Sequence, residues 1–228
     1  MSTTTRESTT PPGPSRARRW GTATIVGVLL MAVGVSMLSY VGWEYYGTNI
    51  VSKRAQASLS QGLGEQWASE QEKNPVRGDA IALVRIPRFG EDYEVPLVKG
   101  VDKKSLARGI GWFPRSAQPG AVGNFAIAGH RVTHGEPFRS FLKLRKGDTV
   151  EVETRTHVYT YVLRDAGTDR TVDFTDTWVT DPVPGKPADT TPTEQTITLV
   201  TCSELFHTDD RQVVFGDLES ADVKPPQS

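Results

Sequence analysis

Hydrophobic positions along this chain follow two different rules. From Gly21 to Gly42 they run almost unbroken, as GTATIVGVLLMAVGVSMLSYVG, and no charge falls between Arg19 and Glu44. A helix over this run extends about 33 Å at 1.5 Å per residue, enough to cross a hydrocarbon core of about 30 Å. Trp20 on one side and Trp43, Tyr45 and Tyr46 on the other suit the two membrane–water interfaces. From Asp79 onward the apolar positions break into short β-rich runs: AIALVRIP, YEVPLVKG, NFAIAGH, DTVEVET, HVYTYVLRD, QTITLVTC and RQVVFGDL. Turn signals such as PRFGED, QPGAVG, RKGD and PVPGKP separate them. DTVEVET alternates strictly, with Val150 and Val152 on one face and Glu151 and Glu153 on the other. Only DKKSLARG and EPFRSFLKL carry helical patterning here. Many short strands with few helices predict an all-β fold closed, or nearly closed, into a barrel, since closure removes exposed edges.

The polar segments set the domain limits. Residues 1–19 are Ser/Thr/Pro-rich and end in a basic cluster, too poor in apolar surface to fold, so they read as a disordered tail. The 20–46 segment reads as a transmembrane anchor: its apolar core exceeds that of a secretory signal, and SMLSYVGW offers no cleavage pattern. Arg16, Arg18 and Arg19 before it, against Glu44 after it, place the amino end in the cytoplasm and the remainder outside. Lys53 and Arg54 weaken this asymmetry without reversing it. Residues 47–78 are polar; Ser52 to Trp67 has some helical character, but Gly62 and Gly64 interrupt it, and the segment reads as a stalk. The barrel is expected over 79–220, with an unstructured tail over 221–228.

Composition narrows the function. A chain of 228 residues has room for one such domain. A net charge of −1, with no basic stripe interleaved with aromatics, gives no basis for nucleic-acid binding. A single cysteine excludes an internal disulfide framework and multi-cysteine zinc patterns.

That cysteine, Cys202, closes the run TITLVTC. Three readings are open to it: a small buried hydrophobe, a metal ligand or a nucleophile. His130 closes NFAIAGH in the same manner, and Arg211 opens RQVVFGDL. Strands ending at one rim of a barrel can bring the three together. A thiol needs a neighbouring base or cation to become a good nucleophile. Histidine exchanges protons near neutral pH, and a fixed guanidinium stabilises an oxyanion. Together they suffice for acyl transfer through a thioester. The metal alternative adds His134, four residues after His130, but THG around Gly135 reads as a loop. Asp209 and Asp210 either pair with Arg211 or form a solvated turn.

TLVTC followed by Arg211, with AIAGHR and HGEPF upstream, resembles the signature of the sortases, membrane-anchored cysteine transpeptidases of Gram-positive bacteria. The likeness covers roughly Asp79 to Leu218, and GNFAIAGHRVTHGEPF resembles class E and neighbouring class D members from actinobacteria. The resemblance implies an eight-stranded β-barrel with a site at its rim. It assigns Cys202 as nucleophile, His130 as general acid/base and Arg211 as the oxyanion or positioning arginine. Thr201 and His207 become candidates for the substrate groove, and Tyr93 a candidate aromatic wall. The implied substrates are secreted proteins bearing a sorting signal of the LPxTG type, LAxTG in class E, and the implied acceptor is an amine of the peptidoglycan precursor. No metal or organic cofactor is implied; calcium stays open, because Asp165, Asp169, Asp173 and Asp176 are spread along the chain. The alternatives are a pilin-polymerising sortase, whose Asp-Pro-aromatic lid motif is absent from EKNPVRGD, and a non-catalytic tethered β-domain.

Overall fold

A computed structural model describes residues 21–69, 75, 78–187, 189–202 and 209–225, without the side chains of Tyr45 and Cys202. The apolar run forms helix α1, Thr22–Gly42, in which no residue is buried. Among the described residues it is the one helix long and apolar enough to cross a membrane. The chain divides into two units after Val41, and the barrel belongs to the second.

Nine strands are described: β1 (Ala80–Arg85), β2 (Glu94–Lys99), β3 (Ile110–Trp112), β4 (Gly123–Gly129), β5 (Thr149–Glu153), β6 (His157–Leu163), β7 (Thr171–Asp173), β8 (Gln195–Cys202) and β9 (Asp210–Val223). They form one sheet in the order β6-β5-β1-β2-β3-β4-β8-β9-β7, and a β6–β9 pairing closes eight of them into a ring. The expected eight-stranded barrel is therefore present. The ninth strand, β7, is a three-residue extension on the rim side of β9. Most pairings are antiparallel, but β2–β3 and β4–β8 are parallel. The parallel β4–β8 pair makes two strands finish at the same end of the barrel.

The interior is filled by inward positions of all the ring strands, among them Val84, Leu97, Ile127, Tyr161 and Leu199, each fully buried. Val150 and Val152 face this core as their alternation predicts. Glu153, on the opposite face, pairs with Arg85 at 2.5 Å and with Lys224. Of the two helical patches, DKKSLARG contains a one-turn helix, α3 (Lys103–Leu106), started by the Asp102 carboxylate, which accepts from the Lys104 and Ser105 amides. EPFRSFLKL contains only a 3₁₀ turn, Phe141–Lys143.

Two segments differ from the sequence reading. Strand β9 continues through Val223, which pairs with His157, so the barrel takes in the first residues of the expected tail. The segment read as a stalk holds helix α2, Thr48–Ala68, running straight through Gly62 and Gly64. Its buried positions, Ser52, Gln56, Leu63 and Trp67, recur at helical spacing and define one face. Leu63 and Trp67 pack on Leu83 of β1, and the Lys224 ammonium lies 4.4 Å from the Trp67 ring centre. Tertiary packing outweighs the roughly 1 kcal/mol that each glycine costs a helix.

Candidate active site

The register brings the three expected residues to one end of the sheet. Gly129 of β4 pairs with Thr201 of β8, so the residues that follow, His130 and Cys202, are one step beyond the same rung. On the other side of β8, Cys202 pairs directly with Arg211 of β9. Neighbouring strands lie about 4.8 Å apart. Three adjacent strands thus present histidine, cysteine and arginine in a row at the rim.

Local chemistry fixes the histidine. Its carbonyl accepts the Phe138 amide at 2.9 Å, closing the 130–138 loop back on the strand end. Gly129 makes room for this closure, because a Cβ there would stand 2.8 Å from the Phe138 ring. The His130 imidazole is half-buried and stacks on that of His134, with ring centres 4.7 Å apart and planes 24° from parallel. Burial, and then the charge of His134, push the His130 pKa down to about 4. The ring is a neutral base at neutral pH. Stacked faces do not converge on one metal ion, and His134 directs its Nδ1 at the Thr133 hydroxyl, 2.9 Å away.

The arginine is held from the β7 side. Its guanidinium lies 6.0 Å from the centre of the exposed Phe174 ring, and Nη1 donates to the Asp210 carbonyl at 2.9 Å. Asp210 thus engages Arg211 through its backbone. The Thr175 hydroxyl and amide hold the Asp173 carboxyl below its usual range, and the nearby Arg211 charge adds to this.

The remaining predicted residues fall elsewhere. Thr201 is 2% exposed, and its hydroxyl donates to the Gly129 carbonyl at 2.8 Å. It ties the strand ending in His130 to the strand ending in Cys202 rather than offering a hydroxyl to a ligand. Tyr93 donates its hydroxyl to the Pro137 carbonyl at 2.7 Å and packs edge-on against Phe89, and burial pushes its phenol well above the usual range. It braces the far end of the histidine loop and is not brought beside Cys202 or Arg211. His207 lies outside the described residues. Among the dispersed aspartates, Asp165, Asp169, Asp173 and Asp176 each accept a main-chain amide of a nearby turn or strand. Among the described residues no three His, Cys, Asp or Glu side chains are grouped to hold a metal.

One residue escaped the sequence reading. Asn124, fully buried in β4, donates to the carbonyls of Val179 and Asp181, both at 3.0 Å, and accepts from the Thr198 hydroxyl at 2.6 Å. It moors the long connection between β7 and β8 to the barrel wall. Val179 and Trp178 of that connection pack on Val200, Val213 and Phe215, outside the main core. The signal was available: a lone amide inside an otherwise apolar strand must find buried partners.

Comparison with known proteins agrees with this arrangement. The sortase domain profile matches residues 84–219. Sortase SrtE1 of Streptomyces coelicolor is 34% identical over 218 residues, which is 90% of this chain and 60% of the relative's own length. The structure of sortase E from Streptomyces avermitilis is 35% identical, with a TM-score of 0.58 over 67% of this chain and 98% of that one. Streptomyces coelicolor sortase E1, solved with a tripeptide in the active site, is 33% identical with a TM-score of 0.57, over 68% of this chain and 99% of that one. Fold, rim register and sequence agree: the chain belongs to the sortase family of cysteine transpeptidases and is of the class E type.

Proposed function

We propose that this chain is a membrane-anchored sortase transpeptidase. It cleaves an LPxTG/LAxTG-type signal between Thr and Gly and transfers the Thr acyl group to an amine of the cell-wall precursor. The observation that carries this reading is the rim register, Cys202 opposite Arg211 and one step beyond the Gly129–Thr201 rung that precedes His130. The tripeptide held in the active site of the Streptomyces coelicolor relative supports a peptide ligand. Helix α1 serves as the anchor, with the amino end cytoplasmic and the barrel outside.

In this mechanism the sulfur of Cys202 bonds to the Thr carbonyl carbon while its proton passes to neutral His130. Arg211 stabilises the oxyanion. The Thr–Gly carbon–nitrogen bond breaks as His130 gives that proton to the departing Gly amine, leaving a thioester. An incoming amine attacks the thioester and yields its proton to His130, which returns it to the sulfur as the new amide forms. The atoms balance without metal or organic cofactor.

The test uses the full chain in detergent micelles with a glycine-based amine and either an LAxTG or an LPxTG peptide. A ligated product is expected by mass spectrometry. Cys202→Ala should abolish it, and Arg211→Ala should reduce kcat by about a hundredfold with a smaller change in KM. Ligation surviving in Cys202→Ala refutes the assigned nucleophile. A non-catalytic tethered domain gives no product with either peptide.

A further inference from the structure

The loop that begins at His130 is held by a helix from outside the barrel. Residues His134, Gly135 and Glu136 have φ values of 56°, 84° and 53°, three left-handed residues in succession. Two of them are not glycine, and each such residue costs about 1–3 kcal/mol unless its surroundings over-determine it. Helix α2 supplies those surroundings. Asn49 accepts the Gly135 amide at 2.8 Å through Oδ1 and donates through Nδ2 to Glu136 Oε1 at 2.7 Å. About two turns further along, Gln56 Nε2 donates to the His134 carbonyl at 3.4 Å. Gly135 is closed off by the same helix, since a Cβ there would come within 2.6 Å of Gln56 Nε2. Arg139 holds the other carboxylate oxygen of Glu136 at 2.9 Å. The result of this clamp is the His134 ring lying flat against His130.

We propose that α2 is a functional part of the catalytic unit: Asn49 and Gln56 lock the left-handed turn so that His134 backs the His130 imidazole and sets its position at the strand end. Asn49, Gln56 and His134 are positioning residues, acting through His130. This rests on the acyl-transfer reading, in which a small displacement of the imidazole from sulfur and leaving nitrogen costs rate rather than peptide affinity. The amino half of α2 is polar on its buried face because it meets loop backbone, whereas the carboxyl half is apolar because it meets β1. A mere spacer between membrane and barrel has no use for such a division.

The experiment compares the full-length chain with Asn49→Ala, His134→Ala and His134→Phe, with rates normalised to titrated thiol and ¹⁵N-labelled imidazoles followed by NMR. Asn49→Ala and His134→Ala should each lower kcat about tenfold or more, with KM within about twofold. His134→Phe keeps the stacked face and should recover most of kcat. Both His134 variants should raise the titration midpoint of His130 by removing a neighbouring charge. The other charged side chains described at this end are Arg131, Glu136 and Arg139 on and beside the loop, Lys53 on α2 and Arg211 on β9. Wild-type kcat per titrated thiol in both alanine variants, with unmoved His130 resonances, overturns the proposal. Asn49→Ala is assayed below its melting transition, and His134→Ala, which leaves the backbone contact to Gln56 in place, carries the same decision. If wild type itself forms no ligated product, the function falls, and the His130 resonances in Asn49→Ala alone decide whether α2 positions that ring.

Discussion

A single imidazole concentrates the electrostatics of the site. His130 titrates near pH 4 in the folded chain, below the ordinary 6.5, because burial and the His134 charge oppose its protonation. The folded state therefore binds fewer protons than the unfolded chain between these values, so its stability is complete above about pH 6.5 and is lost progressively as pH falls toward 4. Chemical denaturation midpoints measured across that window should fall for wild type and fall less for His130→Asn. The carboxylates held low, Asp148 and Glu153 among them, lose their contribution only below their ordinary values of 3.8 and 4.5, which separates the two effects. At the same scale, Gly129→Ala should displace Phe138 and lower kcat, since the only space for a methyl group is occupied by that ring. The three rim residues, His130, Cys202 and Arg211, were legible in the sequence because each sits at the border of an apolar run. The stacking partner was seen only as a possible metal ligand, since the left-handed turn that lays His134 on His130 is made by contacts with residues about eighty positions away.

Among elements, the strands with clean alternation were easiest to read, and those with the fewest residues hardest. Ile110–Trp112 and Thr171–Asp173 are only three residues long and leave no period to detect. Helix α2 was obscured by its two glycines and by a buried face that is half polar, a pattern that resembles a solvated linker until its partner surface is known. The connection between β7 and β8 carries a turn signal, PVPGKP, but nothing in that pattern shows how it is moored. Asn124→Ala strands two backbone carbonyls and a hydroxyl in the wall of the barrel. It should cost about 3 kcal/mol, seen in calorimetry as a fall in Tm of roughly 6–12 °C.

At the level of the whole molecule, the folded unit that holds the barrel begins before the barrel itself. The second unit starts at Gly42, and α2 lies within it. A chain begun at Asp79 loses Leu63 and Trp67 from the surface of Leu83 and uncovers that patch to water. Each large side chain so uncovered is worth about 1.5–3 kcal/mol, partly offset by the conformational freedom of the removed helix. Calorimetry should therefore show the Asp79 chain melting roughly 5 °C or more below a chain begun at Gly42. Equal melting temperatures would show that the helix contributes nothing to the fold. The overall class, a barrel behind an apolar helix, followed from hydrophobic periods alone. Closure itself was expected, because it removes exposed edges; the strands that seal it were not legible, because β9 meets β6 and β7 along one edge and only coordinates reveal where it changes neighbour.

That change of neighbour has a consequence for how such proteins can diversify. The ring is sealed by the later part of β9, where Gly216 to Val223 lie against β6, while the arginine end lies against β7. Residues 174–187 leave β7 and residues 189–194 lead into β8, outside the seal. Among the described residues, the Asn124 amide and one small apolar cluster rivet the first of these stretches to the barrel. Such a segment is interchangeable hardware: a differently shaped insert that preserves those rivets can be exchanged without reopening the cylinder.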